Sequence, residues 1–443
     1  LEPVKKALAN LRDNSEFQHL TNSALARSIG DQAFGYNLTQ VYSMTARKQG
    51  FIGKLNIGRV SSAILGLVNT RTLENQNHTK SYYYDLSADC SFENTVFSGK
   101  FNPNQDTDDV NEKGNLICEK TAEEIKKMIG QPFVVDSVNN KKEKKTAISP
   151  YNLSSLQVVC ARKWGYKSKQ TLDIAQKLYE THKVLTYPRS DCRFLPDSIY
   201  ADAELILNNI KESYKEIDEY CENADIGIKH KSFNTEKITA HHAICPTLKQ
   251  IDFNTLDEEE LNVYKLVLAN FVALFHHDSV RDKSKVSLKN DGREFIATQT
   301  ILSFAGWESL TKKTESTGSI ESFDLSSLKK GDKIEINNIE INKKETTPQK
   351  YFVESTLLAA MTKAAKFIED PELRKILEAK DVDNKSECGS IGTEATRAEL
   401  LQKAMDNPDL FVIEKEAGYK ELAWKTTKQG QELASLLPQE IIN

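Results

Sequence analysis

The order of patterns along this chain constrains its architecture more than any single motif does. Two strand-like stretches, at about 76–140 and 284–352, stand far apart, and helical patterns precede, separate and follow them. The first stretch comprises "KSYYYDLSADC", "ENTVFSGKF" and "QPFVVDSVNN". It is broken by the polar loop "NPNQDTDDVNEKG" and closed by a charged linker, "NNKKEKK". The second comprises "SKVSLKNDGREFIATQTIL" and "DKIEINNIEINKKETTPQKYF", with a mainly polar region at 311–331 between them. This order is no internal repeat. It predicts a multidomain α+β chain whose strand-rich module is assembled from two separated segments and carries a helical module between them. Paired linkers would let that module hinge.

Residues 1–75 read as helical. Ala26, Ile29, Ala33, Leu38 and Val41 recur at roughly helical spacing, and a glycine ends the run. "RVSSAILGLVNTR" continues the pattern after the Gly-punctuated link "FIGKLNIG". In the middle of the chain, "SKQTLDIAQKLYETH" puts Leu172, Ala175, Leu178 and Tyr179 on one face, with Ser168 as N-cap. "DSIYADAELILNNIKESYKEIDEYCENA" and "TLDEEELNVYKLVLANFVALFHH" read as further helices. The end combines "VESTLLAAMTKAAKFI" and "GTEATRAELLQKAM" with a small hairpin and a helix. The expected segments are therefore 1–75 helical, 76–143 strand-rich, 144–277 helical, 278–352 strand-rich and 353–443 helical.

A chain of 443 residues exceeds one ordinary core. With 28% charged and 39% hydrophobic residues it reads as soluble and globular. It has no apolar run that would span a bilayer and no secretory signal pattern, which predicts a cytoplasmic protein away from membranes. The seven cysteines form no CxxC pair, so a zinc ribbon is unsupported and reduced thiols are expected. The net charge of -5 argues mildly against a chain coated in nucleic acid, but binding follows the local field. Between Lys141 and Arg193 twelve Lys/Arg face four Asp/Glu. A solvated helix face plus a lysine-rich linker would give the same count.

Four clusters carry chemistry. In "LTYPRSDC", Tyr187 is a candidate nucleophile for phosphorus. A free phenol has a pKa near 10, so ionising it at pH 7 costs roughly 4 kcal/mol without help. Arg189, two residues on, would share a face with Tyr187 in an extended segment, and its fork suits phosphate oxygens. Pro188 biases Tyr187 away from helix. Asp191 could orient Arg189 or accept a hydrogen bond from a base or backbone group. A Tyr-Pro-Arg surface turn is the plainer alternative. In "ITAHHAICPT", His241 and His242 lack the further ligands a metal would need, but a histidine can donate to phosphate or move a proton. His276 and His277 read as a surface cap at a helix end. Gly58-Arg59 opens a helix after a loop. In "GSIGTEATRAEL", Gly392, Thr393 and Thr396 lie at a helix start whose free N–H groups suit phosphate. No GK[ST] or GxGxxG is present, so a nucleotide loop is excluded.

Together and in this order the clusters resemble type IA DNA topoisomerases, and within them the bacterial topoisomerase III-like branch. "LTYPRSDCRFLP" is similar to the active-site tyrosine motif, "HHAICPT" to the histidine motif, and "GFIGKLNIGRVSSAILGLV" to the helix that opens on Gly-Arg-Val. "GYNLTQVY", "SPYNLSSLQ", "SKQTLDIAQKLYE" and "IGTEATRAEL" follow the family order over essentially the whole chain. The resemblance implies a torus: a helical base (1–75 and 353–443), a β-rich arch acting as hinge (76–143 and 278–352) and a tyrosine domain (144–277). It implies ATP-independent strand passage through a transient 5′-phosphotyrosine on Tyr187, with Arg189 stabilising phosphoryl charge and His241 in support. Asn37, Arg59, Ser154, Ser155, Gln157, Asp191, Thr393 and Thr396 become the expected contacts to single-stranded DNA, and a monomer is expected.

The sequence departs from the family pattern at Ser61, where many relatives carry Gln, at Gln40, where many carry Arg, and mildly at Ser190, where Thr is common. The family begins with a Toprim domain that supplies a lysine, a glutamate and a D-x-D set for Mg²⁺. That domain is expected ahead of residue 1, making this chain a catalytically incomplete core with no metal site and no cofactor of its own. "DTDD" at 106–109 and "DVDN" at 381–384 lack the strand context of that set and read as solvated turns. A non-catalytic DNA clamp or scaffold is the alternative, favoured by Gln40 and Ser61 and opposed by the intact Tyr187, Arg189 and His241.

Overall fold

The computed structural model describes residues 2–48, 50, 57–106, 109–238, 240–310, 323–382 and 387–437. The link at 51–56, the centre of "DTDD", the second half of "DVDN" and the polar region at 311–322 lie outside the described residues. The chain divides into two compact units, 1–75 with 154–172 and 350–443, and 76–153 with 173–349.

In the second unit both strand-rich segments build one closed antiparallel barrel. Its strands are β1 (Tyr82–Phe92), β2 (Thr95–Phe101), β3 (Pro132–Lys145), β4 (Ser279–Asn290), β5 (Arg293–Phe304) and β6 (Lys333–Glu345), in the order β1-β2-β5-β4-β3-β6. Four pairings join the distant segments: β1 with β6, β2 with β5, β3 with β4 and β3 with β6. Closure leaves no open edge. Period-2 alternation turns Tyr84, Leu86, Ala88 and Cys90 inward from β1, against Phe133, Val135, Leu288, Phe295 and Ile336. Phe295 packs edge-on to Phe101 and Phe133, each 5.5 Å away. The β4–β5 hairpin closes on Asp291-Gly292, both at positive φ (44° and 73°), the backbone a two-residue type I′ turn requires.

"NNKKEKK" is not a linker. It forms the outer half of β3, paired residue by residue from Asn139↔Lys285 to Lys145↔Ser279. All seven of its residues are exposed, so the hydrophobic alternation that marks a strand is missing while the backbone ladder persists. The helix Glu119–Lys126 also escapes the sequence reading, because it buries only Ala122 and Ile125. The run 197–224 is not one helix. It breaks at Tyr214 (φ -123°, ψ 79°) between the helix Ala203–Ser213 and the turn Lys215–Ile217. The helix Glu258–Ala273 starts on a capping box between Asp257 and Glu260.

The first unit is helical around a small sheet of β7 (Phe352–Val353), β8 (Phe411–Glu414) and β9 (Ala423–Thr426), in the order β7-β9-β8. Ile64, Leu65 and Val68 from the helix Arg59–Gln76 meet Leu357, Leu358, Met361, Leu401 and Trp424 in its core. Residues 154–172 pack with this unit, whereas the sequence reading groups them with the tyrosine segment. The long helix Gln18–Lys48 buries a different face from the one its apolar spacing suggests. Phe34, Leu38, Tyr42 and Ala46, four apart, face the core, while every residue from 18 to 33 is exposed and so is Val41. Among the described residues no helix is long and apolar enough to cross a membrane.

Candidate active site

The tyrosine segment is positioned by backbone pairing with the histidine segment, both in the second unit. Thr186 N–H donates to Cys245 O (3.0 Å), and Thr247 N–H donates to Val184 O (3.0 Å). The Thr186 side chain reinforces this register, because Cys245 N–H donates to its Oγ1 (3.0 Å) and Oγ1–H donates to Ala243 O (3.2 Å). Beyond the turn, Ser190 Oγ donates to His241 O (3.4 Å), and Ala243 N–H donates to Phe194 O (2.8 Å). Asn152 Nδ2 donates to Asp191 O (3.2 Å), and Leu153 N–H donates to Ser190 O (3.0 Å). The loop is thus fastened before and after Tyr187.

This stitching brings the Tyr187 ring against His241, with ring centroids 4.5 Å apart and the planes tilted by 43°. The edge of Tyr179 meets the Tyr187 ring at 5.6 Å, a contact type worth about 0.5–1.5 kcal/mol beyond its buried area. Tyr187 is half-buried and His241 exposed. Buried Pro188 sits at a bend, so no strand geometry puts Tyr187 and Arg189 on one face. The half-buried Arg189 guanidinium has no hydrogen-bond or ion-pair partner among the described residues. Neighbouring Arg193, by contrast, donates to Ser149 O (2.7 Å) and Pro150 O (3.0 Å). Asp191 is exposed and makes no ion pair with Arg189. His242 bonds through Nδ1 to Ala243 O (2.8 Å), and burial lowers its pKa. A pocket of ≈ 230 Å³ opens beside this group, lined by Tyr187, His241, His242, Pro196, Thr235 and Ile238 among others. His276, read as a surface cap, is instead half-buried with Nε2 on Tyr220 O (3.0 Å).

The remaining expected contacts lie in the first unit. Asn37 is exposed on its helix, and Arg59 is exposed and paired with Asp31. Thr393 and Thr396 are exposed and share a capping box, with Thr393 N–H donating to Thr396 Oγ1 (3.0 Å). Ser154 and Gln157 are buried. Gln157 Nε2 donates to Ser168 O (3.0 Å), and Ser154 donates from both N and Oγ to Glu394. Ser155 is half-buried. Ser61 Oγ donates to Gly58 O (3.2 Å) at the helix start, and Gln40 is exposed.

Sequence reasoning missed the charges inside "IGTEATRA". Arg397 is fully buried and grips Glu387 with two nitrogens (2.6 and 3.0 Å), while donating to Ile391 O, Gly392 O and Ser154 Oγ. Burial pushes the Glu394 carboxyl up to about 7. The available signal was a Glu and an Arg one turn apart at a helix start, which is indistinguishable from a surface pair until burial is known. Among the described residues no group of three or more His, Cys, Asp or Glu is placed to hold a metal ion.

A family model described as DNA topoisomerase matches residues 15–443. The chain belongs to the DNA topoisomerase family. It is 35% identical to DNA topoisomerase 3 of Haemophilus influenzae over 414 residues, which is 90% of this chain and 62% of that protein. It is 29% identical to DNA topoisomerase 3 of Staphylococcus aureus over 440 residues, covering 99% of this chain and 57% of the relative. These names agree with the topoisomerase III-like branch read from the motifs. Full-length topoisomerase I of Thermotoga maritima superposes with a TM-score of 0.61 at 22% identity, over 94% of this chain and 61% of that one. The multidomain α+β fold of type IA topoisomerases, expected from the sequence, is the fold of this chain. The chain spans about three fifths of the length of these topoisomerases.

Proposed function

We propose that this chain supplies the cleaving tyrosine of an ATP-independent enzyme that passes DNA strands through a transient single-strand break. The observation that carries this reading is the ring contact of Tyr187 with His241, in a chain of the topoisomerase family. Tyr187 Oη attacks a backbone phosphorus. The Oη–P bond forms, the P–O3′ bond breaks, and the phenol proton ends on the released O3′. Because one phosphoester replaces another, the reaction reverses without ATP. Arg189 neutralises charge building on the phosphoryl oxygens, and His241 donates a hydrogen bond to them or carries the proton.

In this reading the strand runs over the exposed Asn37, Arg59, Thr393 and Thr396, and Ser155 is the remaining contact of the 154–157 set. Asp191, on the tyrosine loop of the second unit, is a further proposed contact to single-stranded DNA. Mg²⁺ belongs with a Toprim domain that completes the site. The working protein is a cytoplasmic monomer. Alone, this chain binds single-stranded DNA weakly and cleaves it little.

The test uses single strands labelled at either end, incubated with the chain with and without a Toprim domain and Mg²⁺. Covalent attachment of the strand bearing the 5′ phosphate, dependent on the Toprim domain and lost in Tyr187→Phe, is the expected result. Attachment that survives Tyr187→Phe would overturn the assignment, and attachment by this chain alone would overturn its incompleteness.

A further inference from the structure

Tyr179 departs from the face on which its spacing puts it. Leu172, Ala175 and Leu178 of the helix Ser168–Glu180 are buried, while Tyr179 is 36% exposed. A side chain this open to water gains less from burial than those neighbours do, so packing alone does not account for it. Its ring contact among the described residues is with Tyr187, at 5.6 Å and 80° between planes. Its hydroxyl has no hydrogen-bond partner among the described residues.

The end of the helix that carries Tyr179 is firmly held. Glu260, 2% exposed on the helix Glu258–Ala273, takes Lys177 Nζ at 2.6 Å and lies 3.3 Å from His182 Nε2, both on one carboxylate oxygen. Its other oxygen accepts from Asp257 N–H (3.0 Å) in the capping box, which fixes the carboxylate itself. Lys177 and His182 bracket Tyr179 in the chain. Beyond the helix, Lys183 turns at positive φ (60°), and Val184 N–H closes back on Leu178 O (3.0 Å). Tyr187 stands on a second fixed piece of backbone, fastened to the histidine segment through Thr186 and Cys245.

Attack on phosphorus needs Tyr187 Oη at one place, in line with the leaving O3′. The backbone bonds around Thr186 and Ser190 fix the Cα of Tyr187 but leave its two side-chain torsions free to swing Oη. The rings it touches limit those torsions. His241 meets it at 43° and Tyr179 at 80°, so the phenol is braced in two directions. We infer that Tyr179 is a positioning residue for the cleavage step: its ring, anchored through Glu260, holds the Tyr187 phenol for attack. The inference rests on the tyrosine reading above and deepens it. The Tyr179 hydroxyl takes no part.

The test measures the single-turnover rate of covalent capture of an end-labelled single strand, with the Toprim domain and Mg²⁺ supplied as above, beside the affinity for the same strand without Mg²⁺. Tyr179→Leu should slow capture about tenfold at unchanged affinity, the factor that an aromatic contact at the upper end of its range gives. Tyr179→Phe keeps the ring and should run at the full rate. Glu260→Gln keeps an acceptor but loses the charge that holds Lys177, so it should slow capture by less. Added to Tyr179→Leu it should slow capture no further, because both act through one ring. In the 3-fluorotyrosine-labelled chain alone, the ¹⁹F resonance of Tyr187 is identified by its loss in Tyr187→Phe. In Tyr179→Leu it should move toward the position of a solvent-exposed tyrosine. Parental capture by Tyr179→Leu, slowing that follows a loss of strand affinity, an unmoved Tyr187 resonance, additive slowing in the double variant, or Tyr179→Phe as slow as Tyr179→Leu would overturn the inference and leave the tyrosine reading standing. No capture by the unsubstituted chain together with its Toprim domain would overturn both.

Discussion

Ser154 gives its amide N–H and its hydroxyl to one oxygen of Glu394, at 2.7 and 2.6 Å. The first turn of the helix Leu153–Trp164 is thereby fastened to the first turn of the helix Glu394–Met405. Both residues are buried, so removing the carboxylate strands two donors and half of Arg397's counter-charge. Glu394→Ala should lower unfolding free energy by about 2–3 kcal/mol in urea titrations at pH 7.5. A loss under about 0.5 kcal/mol would show that the network adds nothing to stability.

The same carboxyl sets a pH dependence. Burial raises its pKa to about 7, so between the ordinary carboxylate pKa and pH 7 the folded chain keeps a proton that the unfolded chain has released. Stability from this group is therefore fully present at low pH, declines as pH rises through that window, and is level above it. Glu394→Gln cannot ionise. The difference in Tm between it and the unsubstituted chain should move in the variant's favour from pH 4.5 to 7.5. A pH-independent difference would refute the shift.

At the proposed catalytic centre, Tyr187→Phe should abolish covalent DNA capture while leaving the circular dichroism spectrum unchanged, because the ring contacts with Tyr179 and His241 survive. Arg189→Lys keeps the charge but loses the fork, and should slow capture by about 10²-fold, the scale of losing one preorganised donor. Capture within twofold of the parent would remove Arg189 from the mechanism.

Glu308 is buried below the barrel's outer ribbon, where the Arg281 guanidinium and Lys145 (3.1 Å) hold its carboxyl down at about 2. Its contribution is fully present above the ordinary glutamate pKa and is lost as pH falls toward 2. Glu308→Gln should cost about 1–2 kcal/mol near neutrality, a value discounted because Lys145 is solvent-exposed. The variant should then lose less stability on acidification than the parent. Parallel acid-unfolding curves would contradict the assignment.

The exposed part of the helix Gln18–Lys48 gives a control. Leu25→Lys and Ile29→Lys lie on residues that are 58% and 57% exposed, and should change stability by less than about 0.5 kcal/mol. Ala46→Lys, at a fully buried position, should unfold the unit or cost more than about 3 kcal/mol.

Much of the architecture was legible in local pattern. β1, β2 and β6 fall in the stretches that read as strand-like, because strand propensity and side-chain period are written in neighbouring residues. The outer half of β3 was illegible for the converse reason: solvent on both faces removes any need for apolar residues. The exposed apolar residues of the long helix were misleading, since spacing gives a helix's period but not which face meets the core.

By itself the sequence determined the order of helical and strand-rich segments, the family, and the candidates Tyr187, Arg189 and His241. Tertiary structure decided that β3 pairs with β4 across more than a hundred residues, that Tyr187 lies on His241, and that Ser154 and Gln157 are buried. It also turned Glu394 and Arg397 from a helix-surface pair into a buried network. The division has one cause. Residue type and spacing act through the nearest turns of chain, whereas burial and the partner of a polar group depend on segments that meet only once the chain has folded.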